Sequence, residues 1–354
     1  MANYVYAGAA PVVSSGGRSG ATAGGLFRID PATSACAALA GGLPADVEVR
    51  AVVVVPGDPR TVYAGTQAGL YVSRDAGDTW TSLGLPGDDK VVWSILLHPK
   101  DPRTIYVGTQ GTTVHRSRDG GATWRELDIP EPAGMVRMAF ACRVIRLAID
   151  PGSPDTLYAA FEVGGLSRSL DGGDTWEGCN SSLLEFTKEP RLRSRIVSDT
   201  ETEGMMDSHA LAVSPKHPGT VYLANRMGLF RSDDRAGRFG EVGIGRFSPL
   251  TYARDVVVSP HDPDTLYAAL SVAAISDEGS LYRSRDFGAS WTRFDSGVAM
   301  ESTLMTIAPS AAHPARVYCA TRRGQVFGTE DGGASWREFR LPPTAQGVYA
   351  VATA

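Results

Sequence analysis

Short runs of alternating apolar and polar residues, broken by Gly, Pro, Asp or Ser, recur from one end of this chain to the other, a pattern that predicts half-buried β-strands rather than helices. One run returns seven times and carries a tyrosine each time: YVYAG at Tyr6, TVYAGT at Tyr63, TIYVGT at Tyr106, TLYAA at Tyr158, TVYLA at Tyr222, TLYAA at Tyr267 and RVYCAT at Tyr318. A second phrase follows most copies. It reads SRDAGDTW from Ser73 to Trp80, SRDGGATW from Ser117, SLDGGDTW from Ser169, SRDFGASW from Ser284 and TEDGGASW from Thr329. Two further copies are worn down, SDDRAGRF from Ser232 and RIDPATS from Arg28. A unit of roughly 45 to 60 residues that cannot bury its own faces predicts a propeller or solenoid, and one copy per blade gives seven blades.

Each repeat divides into four strands. The inner strand A is an apolar run ending at a Pro turn, as in VVWSILLHP from Val91 to Pro99. Strand B carries the tyrosine, strand C enters the second phrase and strand D leaves through its Trp. The first repeat begins at strand B with Tyr4-Val5-Tyr6, and its missing strand A pattern stands at the other end, from Gly347 to Ala352. That segment is expected to complete the first blade and close the ring, which removes exposed sheet edges. Residues 1–354 thus read as one all-β domain, a seven-bladed β-propeller of four-stranded antiparallel blades.

In the second phrase, Asp accepts hydrogen bonds from backbone N–H groups just ahead, Gly supplies positive φ, and Ser or Thr closes the turn. The Trp lays its apolar face beside the neighbouring blade. Hairpins spaced around a ring cannot converge on one ligand, so these aspartates are assigned to structure rather than to catalysis or calcium. The phrase is the Asp-box, or bacterial neuraminidase repeat. Together with the D-P-x-T-[VIL]-Y-[AV]-G run before it, it makes almost the whole chain resemble the propellers of sialidases, xyloglucanases, sortilins and photosystem assembly factors. The resemblance implies the fold; the functions of these families differ.

Composition agrees with a large β domain, since 43% of the residues are apolar and the 40 Gly and 22 Pro punctuate turns. A net charge of −5 argues against a nucleic-acid partner. No apolar run is long enough to span a membrane. The start MANYVYAGAAPVV reads as a strand rather than a signal segment, so a cytoplasmic setting is expected, with Cys36, Cys142, Cys179 and Cys319 free. No cofactor motif and no metal-ligand spacing stands out.

Loop lengths separate the two ends of the propeller. A–B turns and Asp-box turns share one end and are short. The D–A and B–C connections share the other, and there lie Ala10 to Gly24, Leu127 to Ala141, Glu177 to Met206, Gly240 to Thr251 and Ser271 to Gly279. Long irregular loops mark the face that binds, and the Glu177 to Met206 insertion is expected to cover part of it.

Counting back six residues from the Pro that ends each strand A places Arg50, Trp93, Ile145, His209, Arg254 and Thr303 at the channel mouth, with Tyr349 added by pattern and Arg146 as the alternative to Ile145. Two residues earlier, on the same side of each strand, stand Glu48, Val91, Arg143, Asp207, Tyr252, Glu301 and Gly347. Arg50, Arg143 and Arg254, with Glu48 and Trp93, form the expected binding set, because guanidinium forks suit carboxylates and phosphates. His209 is the one histidine at the mouth, where it can exchange a proton near neutral pH, with Asp207 or Glu301 setting its tautomer. Tyr252 completes the expected catalytic set of His209, Tyr252, Asp207 and Glu301. Likeness to sialidases would give Tyr252 a nucleophilic role beside Glu48 or Glu301, although their Arg-Ile-Pro signature is not present here. Three readings remain: an intracellular hydrolase or lyase acting on a small anionic molecule, a scaffold gripping a protein partner, and a sialidase-like glycoside hydrolase or lectin.

Overall fold

In the computed structural model, residues 4–11, 23–87 and 91–353 are described, with backbone alone at 13–14 and 17–18. They form seven four-stranded antiparallel sheets around a central channel. Blade 1 takes its inner strand, Val348–Thr353, from the end of the chain and its second, Val5–Ala9, from the start, in the register Val5↔Thr353 and Tyr6↔Ala352. The expected ring closure is therefore present. The inner strands of blades 2 to 7 are Val49–Val55, Val92–Leu97, Val144–Ile149, Ser208–Val213, Tyr252–Val258 and Leu304–Pro309.

The Asp-boxes have the predicted hydrogen bonds. In the box of blade 3, Thr123 donates to Asp119 through its N–H (2.9 Å) and its hydroxyl (2.5 Å), and Gly121 N–H donates to Ser117 Oγ at 2.8 Å. Gly120 and Gly121 adopt φ of 78° and 91°, a region an L side chain enters only at a cost. Trp80 of blade 2 lies among Tyr6, Leu26 and Leu39 of blade 1, and Trp291 of blade 6 among Tyr222 and Leu229 of blade 5. The repeat tyrosine sews the same seam from the other side: Tyr6 donates to Ala76 O, Tyr106 to Gly172 O and Tyr222 to Phe287 O, at 2.9 to 3.0 Å. Residues repeated in sequence are thus inter-blade clamps.

The Glu177 to Met206 insertion folds as the helices Ser181–Phe186 and Glu203–Met206 with a 3-10 turn at Pro190–Leu192. It was expected over the mouth. Instead Leu183, Leu192, Met205 and Met206 pack into the core shared with Phe230 and Phe239 of blade 5, and none of its residues lines the channel cavities. Apolar burial holds it to the flank. The Ala10 to Gly24 loop lies mostly outside the described residues. All four cysteines are free, and among the described residues no helix is long and apolar enough to cross a membrane.

Candidate functional site at the channel mouth

Every inner strand carries a β-bulge near its start. Pairing skips one residue between Val49 and Ala51, Val92 and Ser94, Val144 and Arg146, Ser208 and Ala210, Ala253 and Asp255, Leu304 and Thr306, and Val348 and Ala350. A bulged residue is released from the ladder and re-aimed, here into the channel. The seven are Arg50, Trp93, Ile145, His209, Arg254, Met305 and Tyr349, and all of them line one cavity. Five match the count from Pro and Tyr349 matches the strand pattern. The seventh does not: Thr303 was counted from Pro309, which still pairs with Val317 inside the strand, so the turn begins two residues later and Met305 holds the bulge. Thr303 instead caps the 271–279 loop, donating to Ala273 O at 2.9 Å.

The same slip misplaced Glu301. Its carboxylate is exposed and pairs with Arg340 of the outer strand at 2.9 Å, away from the mouth. It can neither orient His209 nor serve Tyr252 there. Ile145 holds the blade 4 bulge, while Arg146 reaches from blade 4 to Asp255 of blade 6 at 3.2 Å.

Above the bulges a cavity of about 170 Å³ is lined by Trp93, Arg143, Glu162, Asp207, His209, Arg226, Tyr252, Arg254, Arg322 and Tyr349, among others. His209 has a polar partner on each ring nitrogen. Nδ1 lies 2.7 Å from Ala253 O, a carbonyl that can only accept, so Nδ1 carries the proton. Nε2 is then the lone-pair nitrogen, and it accepts from the Tyr252 hydroxyl at 3.2 Å. A backbone carbonyl rather than a carboxylate sets the tautomer. Burial pushes the His209 imidazole below its ordinary value despite Asp207 Oδ2 3.4 Å from Nε2. Burial also pushes Tyr252 up to about 12, against the pull of Arg254. Burial raises the Asp207 carboxyl, a cost that a two-pronged contact from Arg226 at 2.5 and 3.0 Å offsets, joined by His209 whenever its ring is protonated, so the carboxyl is held below the usual carboxylate range.

The arginines fall into two classes. Arg50 pairs with Glu48 at 2.6 Å and Arg143 with Glu162 at 3.0 Å, and their guanidinium carbons lie 4.8 and 4.3 Å from the ring centroid of Trp93. These are held by cation–π and ion-pair contacts. Arg254 and Arg322 differ. Among the described residues neither forms an ion pair, and the Arg322 guanidinium donates only to the Ala274 carbonyl, at 2.9 Å. Burial presses Arg322 below the ordinary arginine value, and Arg254 adds to this against the pull of Tyr349.

Glu162, Arg226 and Arg322 were not anticipated. Each stands four residues after a repeat tyrosine, Tyr158, Tyr222 and Tyr318, at the tip of a B–C hairpin. The N–H of each donates to the carbonyl two residues before a bulge: Glu162 to Arg143, Arg226 to Asp207 and Arg322 to Thr303. Counting forward from the tyrosines would have found them.

The model of the family described as sortilin, neurotensin receptor 3, matches residues 68–199 and 279–353, more than half of the chain. The chain belongs to the Sortilin-Vps10 family. Within curated proteins, this sortilin-type chain is similar to a xyloglucanase of Hypocrea jecorina (strain QM6a), with 28% identity over 275 residues, 76% of this chain and 28% of the relative. A second xyloglucanase, from Acetivibrio thermocellus, shares 25% over 171 residues, 41% of this chain and 19% of the relative, so the chain spans less than a third of the curated relatives it matches. Among solved structures it resembles the GH74 xyloglucanase of Xanthomonas campestris, with a TM-score of 0.64 at 19% identity, over 85% of this chain and 46% of that one. It also resembles YCF48 bound to D1 peptide, with a TM-score of 0.56 at 14% identity, over 86% of this chain and 84% of that one. At these identities the structures establish the propeller alone.

Proposed function

We propose that the mouth binds a small carboxylate-bearing anion and that Tyr252 and His209 move a proton on it, in a hydrolase or lyase reaction. The observation that carries this reading is the convergence of Arg254 and Arg322, which have no carboxylate of their own among the described residues, on the His209–Tyr252 pair within one cavity. Partly buried guanidinium groups without a paired carboxylate are costly, and an anionic ligand offsets that cost; for Arg254, Asp207 and Glu162 in the same cavity offset part of it. The curated relatives named xyloglucanases support the hydrolase class. The size of the cavity favours a different substrate: about 170 Å³ is the space of about five or six waters, which suits one small molecule rather than a polysaccharide.

The proton path follows from the tautomer. Tyr252 takes a proton from the substrate while passing its own to His209 Nε2. The phenol stays neutral throughout, as its raised pKa favours, and the imidazolium that forms lies beside ionised Asp207. A tyrosinate nucleophile of the sialidase kind would work against that raised pKa.

A second reading, a scaffold for a peptide, is favoured by one observation. Phe140, Ile196, Val197, Val272 and Ile275 are exposed on connections of the mouth end, and one structural relative is described as bound to a peptide.

The test is a turnover screen of the purified chain against acidic sugars, aromatic acids and phosphate esters, repeated on any hit with Tyr252→Phe and His209→Gln. The relay reading expects both variants to lose turnover and keep substrate affinity. No turnover across the panel, together with a peptide whose binding survives both substitutions, would replace it with the scaffold.

A further inference from the structure

Beneath the mouth the channel holds a second cavity, of about 100 Å³, bounded by the bulged residues and the inner strands. Three arginines line it, Arg50, Arg146 and Arg254, and no carboxylate does. The acids that pair with Arg50 and Arg146, Glu48 and Asp255, lie outside the lining. Backbone N–H groups of Val256 and Ile307, at 3.0 and 2.9 Å, also occupy the oxygens of Asp255. The well therefore presents three guanidinium groups with no acid in its lining, Arg50 and Arg146 sharing charge with Glu48 and Asp255 outside it, in a space of about three waters, enough for one carboxylate or phosphate group.

The two cavities are contiguous. Trp93, Ile145, His209, Arg254 and Tyr349 line both, so Arg254 is a shared wall between the upper anion site and the well.

Resting on the reading of the mouth as an anion site, we propose that the ligand is a dianion: one acidic group sits in the mouth near Arg254 and Arg322, and a second descends past Arg254 into the well formed with Arg50 and Arg146. A bridging ligand gains from the second group because binding there becomes intramolecular, and the gain depends on chain length, vanishing when the linker cannot span the two subsites. Single-ended acids of the same length fill the mouth only.

The experiment is calorimetric titration of the full chain with two matched series, the monocarboxylates acetate to valerate and the dicarboxylates malonate to adipate. The expected result is a preference of ten-fold or more for one dicarboxylate over its monocarboxylate, with a sharp length optimum. Arg50→Gln should abolish that preference, bringing each dicarboxylate to the affinity of its monocarboxylate, whereas Arg322→Gln should weaken both series. Arg146→Gln is the independent second well variant, and a melting curve on each variant checks folding. Equal affinity for the two series, or a preference that survives both Arg50→Gln and Arg146→Gln, would overturn the dianion while leaving the mouth reading standing. Failure of both series to bind would overturn the two together.

Discussion

The molecule carries two rings of sevenfold design, and they differ in what repeats. In the Asp-box ring the residues recur: Ser73, Ser117, Ser169 and Ser284 each hydrogen-bond the aspartate two positions on, with Thr329 doing so in the last box. In the bulge ring the geometry recurs and the residues do not, running Tyr349, Arg50, Trp93, Ile145, His209, Arg254 and Met305 around the channel. A side chain kept in most of the seven copies answers a demand those blades share, namely closing a hairpin and clamping a seam. A backbone kink kept in every copy with its side chain varied supplies seven aimed positions that are free to differ. The first ring is a frame; the second is where the proposed chemistry would be assembled.

The sharpest way to separate the rings is to strike one residue of the second. His209→Gln removes the Nε2 acceptor, and turnover on any substrate found should fall by something like 10²- to 10⁴-fold with little change in binding. The wild-type pH profile gives a matching signature. Because burial lowers the His209 pKa, the acid limb of kcat should fall below pH 6.5, and with Tyr252 pushed up to about 12 no alkaline limb should appear below pH 10. An acid limb at or above pH 7 would remove His209 from the reaction.

A strike on the frame should have a smaller, purely structural effect. Hydrogen bonds from Thr79, Thr123, Thr175 and Ser335 hold the box aspartates Asp75, Asp119, Asp171 and Asp331 at about 2. A free aspartate titrates near 3.9. A depressed folded value contributes stability that is complete above the unfolded pKa and is lost as pH falls through the folded one. Melting temperatures should therefore hold down to about pH 4–5 and fall steadily towards pH 2. Asp119→Ala should lower the melting temperature by a few degrees at pH 7 and flatten that acid decline. An unchanged acid decline would show that other carboxylates control it. Smallest of all is the effect expected at Glu301, whose exposed pair with Arg340 lies off the mouth. Glu301→Gln should leave melting temperature, anion binding and turnover as they are, and any loss of activity would reopen its place at the site.

The frame was legible because the tyrosine phrase and the Asp-box repeat by identity, and even the closure of blade 1 by Val348–Thr353 follows from a missing strand. The bulge ring was half legible. A fixed distance to a Pro turn locates it in five blades and the strand pattern locates Tyr349 in blade 1, but the count fails in blade 7 because Pro309 is still within the strand. The donors from the hairpin tips were missed for a different reason. Arg226 and Arg322 follow the last residue of strand B at the hairpin tip, so a reading confined to inner strands does not see them, although their interval from the tyrosine is constant. The flank position of the 177–206 insertion was hidden because its apolar anchors, Leu183, Leu192, Met205 and Met206, are scattered among polar residues. Their common core appears only when the two short helices are folded.

On the proposed division the bulge ring binds an anion and the Asp-box ring does not. One paired measurement tests it most directly: calorimetric titration of succinate into wild type, Arg254→Gln and Asp119→Ala, with the melting temperature of each protein. Arg254→Gln should weaken binding by about 2–5 kcal/mol through loss of a buried charge pair and melt close to wild type. Asp119→Ala should melt earlier and bind as wild type does. Full binding by Arg254→Gln, or loss of binding by Asp119→Ala at a temperature where it is folded, would contradict the assignment of the two rings.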